Sequence, residues 1–134
     1  CRTGIKIPFP IIADRSGEIA RMYGMISSDI SNTQTVRNVF IIDDKGTIRT
    51  ILVYPLNVGR FIPEILRIVE ALQMADCTNG STPANWRTGD PVIVPMPQTY
   101  CELEERQQYL SQNNNGISWY LSFKEPEQKC LKKS

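Results

Sequence analysis

The sequence predicts a mixed α/β fold in which a strand, a short helix, a β-hairpin and an amphipathic helix precede an extended C-terminal arm. Three observations carry that expectation. Two apolar runs flank the tetrapeptide Asp43-Asp44-Lys45-Gly46, whose Asp favours a turn start and whose Gly supplies positive φ. Phe61, Ile65, Ile68 or Val69, and Leu72 recur on one helical face, as an amphipathic helix requires. After Gln73 the composition shifts, and Asp76 to Gly89 is rich in Gly, Pro, Asn, Ser and Thr, which marks a boundary. The expected domains are therefore residues 1–75 and an arm, 76–134.

Each element has its own reason. Phe9 to Ala13 is a short apolar run behind two prolines, suited to a buried strand. Asp14 to Gly17 turns it, and Glu18 to Tyr23 reads as a helical stretch closed by Gly24. Ser27 to Thr35 is polar and reads as a loop. Val39 to Ile42 is apolar on both faces, the mark of a central strand. Thr47 to Tyr54 pairs antiparallel with it across the turn. Pro63 does not break the next helix if it lies in the first turn, where its missing N–H costs nothing.

In the arm, Trp86 within Pro83-Ala84-Asn85-Trp86 must cover apolar surface, either as a local anchor or between subunits. Val92 to Val94 between prolines suits a short edge strand. Thr99 with Glu102 three residues on has the form of a capping box and predicts a helix through about Leu110, which Asn113 to Gly116 then breaks. Ile117, Trp119, Leu121 and Phe123 alternate with Ser118, Tyr120 and Ser122, giving an extended segment with one large apolar face.

Arg37 falls in alternating register with Val39 and Ile41, so its guanidinium shares a face with two branched apolar side chains. A cation on a packed face needs a partner. Either it pairs with a carboxylate elsewhere in the fold or it forms an anion or thiolate site. Arg60 adds to the second reading because it falls where a helix begins, and helix N-termini favour negative charge.

With 134 residues, 41% hydrophobic and 22% charged, the chain can bury a core and is not compositionally disordered. A net charge of +1 gives no electrostatic reason to expect nucleic acid or membrane as a partner. No apolar run approaches the roughly 20 residues of a spanning helix, and no signal peptide is visible. The chain has no histidine and four cysteines, Cys1, Cys77, Cys101 and Cys130, with no CxxC. That removes the usual zinc sets, the Ser-His-Asp triad and the thioredoxin-type dithiol. Neither a metal nor a cofactor is expected, and the cysteine usage fits the reducing cytoplasm.

The phrases IPFPIIAD, GEIARMYGM, TVRNVFIIDDKGTIR, YPLNVGRFIPEILRIVEALQ, TPANW and GDPVIVP, in that order and spacing, resemble the peroxiredoxins. Within them the resemblance is to the one-cysteine subfamily with a long C-terminal arm. It runs from about Ile7 to Pro97, with the later segment matching only loosely. It implies the C-terminal half of a thioredoxin-like fold and reduction of hydroperoxides through a cysteine thiolate. The family's P-x-x-x-T/S-x-x-C phrase is missing, and Cys1 lacks its flanking Pro and Thr. The expectation is therefore a C-terminal fragment, inactive alone, whose nucleophile lies upstream.

The resemblance also assigns roles. Arg37 matches the family's active-site arginine, which lowers the thiolate pKa and binds the peroxide. Arg60 matches a second arginine near that pocket. Ser122 stands where some long-armed relatives carry a resolving cysteine. Cys130, flanked by Lys129, Lys132 and Lys133, is a possible resolving cysteine on a mobile tail, or else a free surface thiol. Cys77 and Cys101 look structural or incidental. The implied partners are a hydroperoxide, a thiol reductant such as thioredoxin, and a second copy in a homodimer or ring. A noncatalytic thioredoxin-like dimerisation or interaction module is the alternative, and a binding domain that has lost redox function is a weaker third.

Overall fold

Asp43 builds the turn that organises the first part of the chain. Its Oδ1 accepts hydrogen bonds from the backbone N–H groups of Lys45 (3.0 Å) and Thr47 (2.9 Å), and Gly46 takes φ 78°. This Asx-type arrangement reverses the chain and joins β1 (Arg37–Ile42) to β2 (Ile48–Tyr54). The two pair antiparallel, with Arg37 opposite Tyr54, Phe40 opposite Ile51, and an irregularity between Ile41 and Ile42.

The computed structural model describes residues 4, 6–26, 36–113 and 115–131. Cys1, the segment 27–35 where a loop was expected, Lys132 and Lys133 lie outside the described residues, as does Asn114. The chain divides into two compact units, Cys1–Arg60 and Phe61–Ser134.

In the first unit the short helix α1 (Glu18–Met22) forms where expected. Asp14 caps it through bonds from the backbone N–H groups of Ile19 (3.3 Å) and Ala20 (2.8 Å), and Gly24 follows at φ 64°. Tyr23 meets Phe40 edge to face at 5.0 Å between ring centroids. Two features differ from the sequence reading. Phe9 to Ala13 is irregular and exposed, because an apolar run becomes a strand only when a neighbour supplies a ladder, and among the described residues none does. The hairpin is a two-stranded sheet, so β1 is only half-buried, and Ile42, Ile48, Ile51 and Val53 stay exposed.

The second unit begins with α2 (Ile62–Thr78), whose N-cap is Phe61 and whose Pro63 sits in the first turn. This helix continues past Gln73, where the sequence predicted a loop to begin near Asp76. Ala71, Met74 and Thr78 are buried at three- and four-residue spacing, so one face keeps packing. Thr78 Oγ1 donates to the Met74 carbonyl at 2.7 Å, and Asn79 in the left-handed region ends the helix.

Trp86 is 1% exposed and is a local packing anchor. Its Nε1 donates to the Asp90 carbonyl at 2.9 Å. Around it lie Ala71, Met74, Val92 and Cys130. The edge strand expected near Val92 is β3 (Val92–Ile93), in a sheet ordered β3-β5-β4 with β4 (Gly116–Ser118) and β5 (Leu121–Lys124).

The predicted capping box is present. Glu102 N–H donates to Thr99 Oγ1 and Thr99 N–H to Glu102 Oε2, both at 3.3 Å. The helix it starts, α3 (Tyr100–Asn113), runs one turn past Leu110.

The expected single extended segment is instead a hairpin, β4 (Gly116–Ser118) and β5 (Leu121–Lys124), turning at Trp119 and Tyr120. Because the chain reverses there, the apolar alternation does not map onto one buried face. Ile117 is 75% exposed while Ser122 is 1% exposed. A last turn of helix, α4 (Gln128–Leu131), follows.

Candidate functional site

Arg37 opens β1 directly across from the last residue of β2, Tyr54. The chain leaving β2 makes a turn closed by Val58 N–H donating to the Pro55 carbonyl at 3.0 Å. Arg37 Nη1 donates to the Val58 carbonyl of that turn at 3.3 Å. One guanidinium contact thus ties the start of the hairpin to the segment after it, and Arg60 lies two residues further along.

The expectation of a buried Arg37 is corrected: its side chain lies at the open end of the hairpin and is exposed. Two strands cannot enclose a residue at their terminus, and the turn at Val58 covers only one edge. The carboxylate partner weighed for it is not found among the described residues. A carbonyl oxygen takes its place, which satisfies a donor without cancelling the charge. Arg60 is exposed too, immediately before the Phe61 N-cap of α2. Arg37, which grips the Val58 carbonyl, and Arg60, two residues beyond that carbonyl, are both exposed cations, and exposed guanidinium groups suit an anion.

Other charges of the chain have partners of their own. Asp43 sits at the opposite end of the hairpin, where the Thr47 N–H, with that of Lys45 and the Arg49 guanidinium, holds its carboxyl below the ordinary 3.8. In the second unit Arg67 meets Glu64 through two bonds, 2.7 and 2.8 Å, and donates to the Trp86 carbonyl at 3.2 Å. The Arg67 bond holds Glu64 below its ordinary 4.5. That pair fastens the Trp86 loop to α2. Nothing in the spacing of the sequence pointed to Trp86 as the partner, although the i,i+3 relation of Glu64 and Arg67 was visible.

The cysteines depart most from the sequence reading. Cys130 is no free surface thiol on a mobile tail: it is 8% exposed and bonded to Cys77, 53 positions away. The helix carrying Cys77 and the turn carrying Cys130 meet at the Trp86 cluster, a long-range contact that motif spacing does not encode. Cys101 is a free, exposed thiol on α3, with Glu105 Oε1 3.9 Å from its sulfur.

Among the described residues no helix is long and apolar enough to cross a membrane.

Comparison with known proteins bears on both units. Residues 2–51 match the AhpC/TSA family, and residues 71–112 match the C-terminal domain of 1-Cys peroxiredoxin. Peroxiredoxin 2 of Caldanaerobacter subterraneus subsp. tengcongensis is 52% identical over 122 residues, 91% of this chain and 55% of that protein. The peroxiredoxin of Aquifex aeolicus is 44% identical, over 88% of this chain and 56% of its own length. A cysteine-to-serine mutant of peroxiredoxin 6 of Arenicola marina superposes with a TM-score of 0.71 at 30% identity, covering 93% of this chain and 60% of that one. The yeast mitochondrial 1-Cys peroxiredoxin gives a TM-score of 0.63 at 33% identity, over 81% and 52%. The chain spans about half the length of the relatives it matches. Its helices and strands are those of a thioredoxin-like α/β fold, and the chain belongs to the peroxiredoxin family.

Proposed function

We propose that these residues serve a thiol-dependent peroxidase that reduces hydrogen peroxide and organic hydroperoxides. The observation that carries the reading is Arg37: an exposed guanidinium at the open end of the hairpin, held by a carbonyl rather than neutralised by a carboxylate, inside the segment that matches the AhpC/TSA family.

In the proposed reaction a cysteine thiolate attacks the near oxygen of the peroxide. The O–O bond breaks, the sulfur becomes a sulfenic acid, and the departing oxygen leaves as alcohol or water after taking a proton. Arg37 steadies the thiolate before attack and hydrogen-bonds the oxygens as charge moves onto the leaving one. Arg60 adds positive potential and helps orient the first guanidinium. The sulfenic acid is returned to thiol by a second thiol, with a thioredoxin-type reductant as the outside donor. The nucleophile we assign to a cysteine encoded upstream of these residues. Cys77 and Cys130 are tied to each other, and Cys101 lies beside a carboxylate.

The same reading places residues 1–75 in a partial thioredoxin-like domain and 76–134 in an arm used for assembly into homodimers or rings, in the cytoplasm. Exposed Ile117, Trp119 and Tyr120 support the assembly role, since a second copy would cover them.

The test is peroxide consumption by the full-length protein with thioredoxin and its reductase. Arg37→Ala is expected to lower the rate on the order of 100- to 1000-fold, as loss of one preorganised donor does, with Arg37→Lys recovering part of it and the oligomer mass unchanged. An unaltered rate in Arg37→Ala would reassign Arg37 to fastening the Val58 turn.

A further inference from the structure

We propose that Cys77 and Cys130 form a redox latch, a thiol–disulfide exchange site whose reduction by a dithiol releases α4 from α2. This goes beyond the peroxidase reading and does not depend on it.

The two ends of the bond are unequal. Cys77 lies in the last turn of α2 and is exposed, whereas Cys130 is 8% exposed and sits in the cluster with Ala71, Met74, Trp86 and Val92. An incoming thiolate therefore reaches the Cys77 sulfur first, and Cys130 is the leaving group. Access selects the direction of attack.

What the bond holds is small. Helix α4 has four residues, Gln128–Leu131, far below the length at which a helix persists unaided. Among the described residues Leu131 also packs against the cluster. Just before it, Lys124 on β5 donates from Nζ to the Thr78 carbonyl at 2.7 Å, closing the C-terminal end of α2. That contact and the β3-β5-β4 sheet do not involve the disulfide. Reduction thus frees the chain beyond β5, with residues 125–127 as the hinge, while the sheet stays in place.

The chemistry balances without a cofactor. A thiolate of the reductant attacks Cys77 Sγ, forming a mixed disulfide, and Cys130 departs as a thiolate and takes a proton. The reductant's second thiol then attacks its own sulfur in the mixed disulfide and expels Cys77. Two electrons and two protons pass to the protein, and the dithiol leaves as a disulfide. In reverse, Cys77 thiolate attacks a low-molecular-weight disulfide such as oxidised glutathione, and Cys130 closes the bond as a second glutathione thiol leaves.

The experiment uses the full chain with Cys1→Ser and Cys101→Ser, which removes the two other cysteines that could shuffle. Dithiothreitol without denaturant is expected to expose two further titratable thiols and to raise tryptic cleavage after Lys129 on the order of tenfold or more. Oxidised glutathione should reverse both. Hydrogen exchange in α3 (Tyr100–Asn113) should stay unchanged. Adding Cys77→Ser, a change at an exposed position, should give the fast-cleaved form whatever the redox state. No new thiols until the chain is unfolded would show an inert staple and overturn the proposal. So would thiols without faster cleavage, or loss of protection throughout α3, which would mean global unfolding.

Discussion

Arg106 is the polar tie between α3 and β5, and replacing it tests how the arm is built. Its Nη1 donates to Ser122 Oγ at 2.6 Å and its Nη2 to the Pro95 carbonyl at 3.0 Å. Ser122 is 1% exposed, so once the guanidinium is gone no water replaces it. A buried hydroxyl left unpaired costs about 1–3 kcal/mol, whereas the Pro95 carbonyl, at an exposed bond, can turn to water for about 0.5 kcal/mol. Arg106→Met keeps the stem that covers apolar surface and should therefore cost about 2 kcal/mol. Ser122→Ala should cost about 1 kcal/mol, because the half-buried guanidinium can be solvated. The double variant removes both partners and should cost no more than Arg106→Met alone, a coupling of about 1 kcal/mol. Urea denaturation of the oxidised chain, followed by tryptophan fluorescence, measures all four corners of the cycle. Additive costs, within about 0.3 kcal/mol, would refute the claim that Ser122 depends on Arg106.

Two further predictions concern backbone space and charge. A Cβ at Gly116 would lie 2.8 Å from the Leu121 carbonyl oxygen and 2.9 Å from Ser122 Cα, both backbone atoms that cannot swing aside. Gly116→Ala should therefore destabilise the arm by about 1–3 kcal/mol, read as a lower urea midpoint, and a midpoint unchanged from the parent would show that the β4-β5 turn relaxes freely. Glu64 is held below its ordinary 4.5 by Arg67, so its contribution is complete above that value and is lost as pH falls through the lower folded value. Below about pH 4.5 the parent should then lose more stability than Glu64→Gln; parallel pH profiles for the two would remove the Glu64–Arg67 pair from the account.

Several elements were legible because their causes are local. The Asp43 turn, the capping box at Thr99 and Glu102, the short helix before Gly24 and the edge strand near Val92 all follow from a few adjacent residues. Each satisfies its own backbone groups, so the pattern and the structure agree. The extent of α2 was not legible, since Met74 and Thr78 extend it by packing against a cluster assembled from distant segments. The alternation from Ile117 to Phe123 misled for a related reason. Period-two patterning says which residues share a face of a straight strand, but a turn at Trp119 and Tyr120 reverses the chain midway and puts Ser122 inside.

For the candidate site, the order of the phrases around Arg37 and Arg60 identified the residues, while their surroundings had to be seen. Alternation with Val39 and Ile41 suggested burial, yet Arg37 begins β1 at the open end of the hairpin and is exposed, and its partner is the Val58 carbonyl. The Asp43 turn, the Thr99 cap, the amphipathic helix and the peroxiredoxin resemblance could be read from the chain alone, because each rests on residues close together or on an ordered series of motifs. Three-dimensional packing was needed to show that Cys77 meets Cys130, that Arg106 serves Ser122 and that Trp86 is a local anchor. Those contacts depend on which distant surfaces a chain brings together when it buries apolar area, and no short stretch of sequence carries that choice.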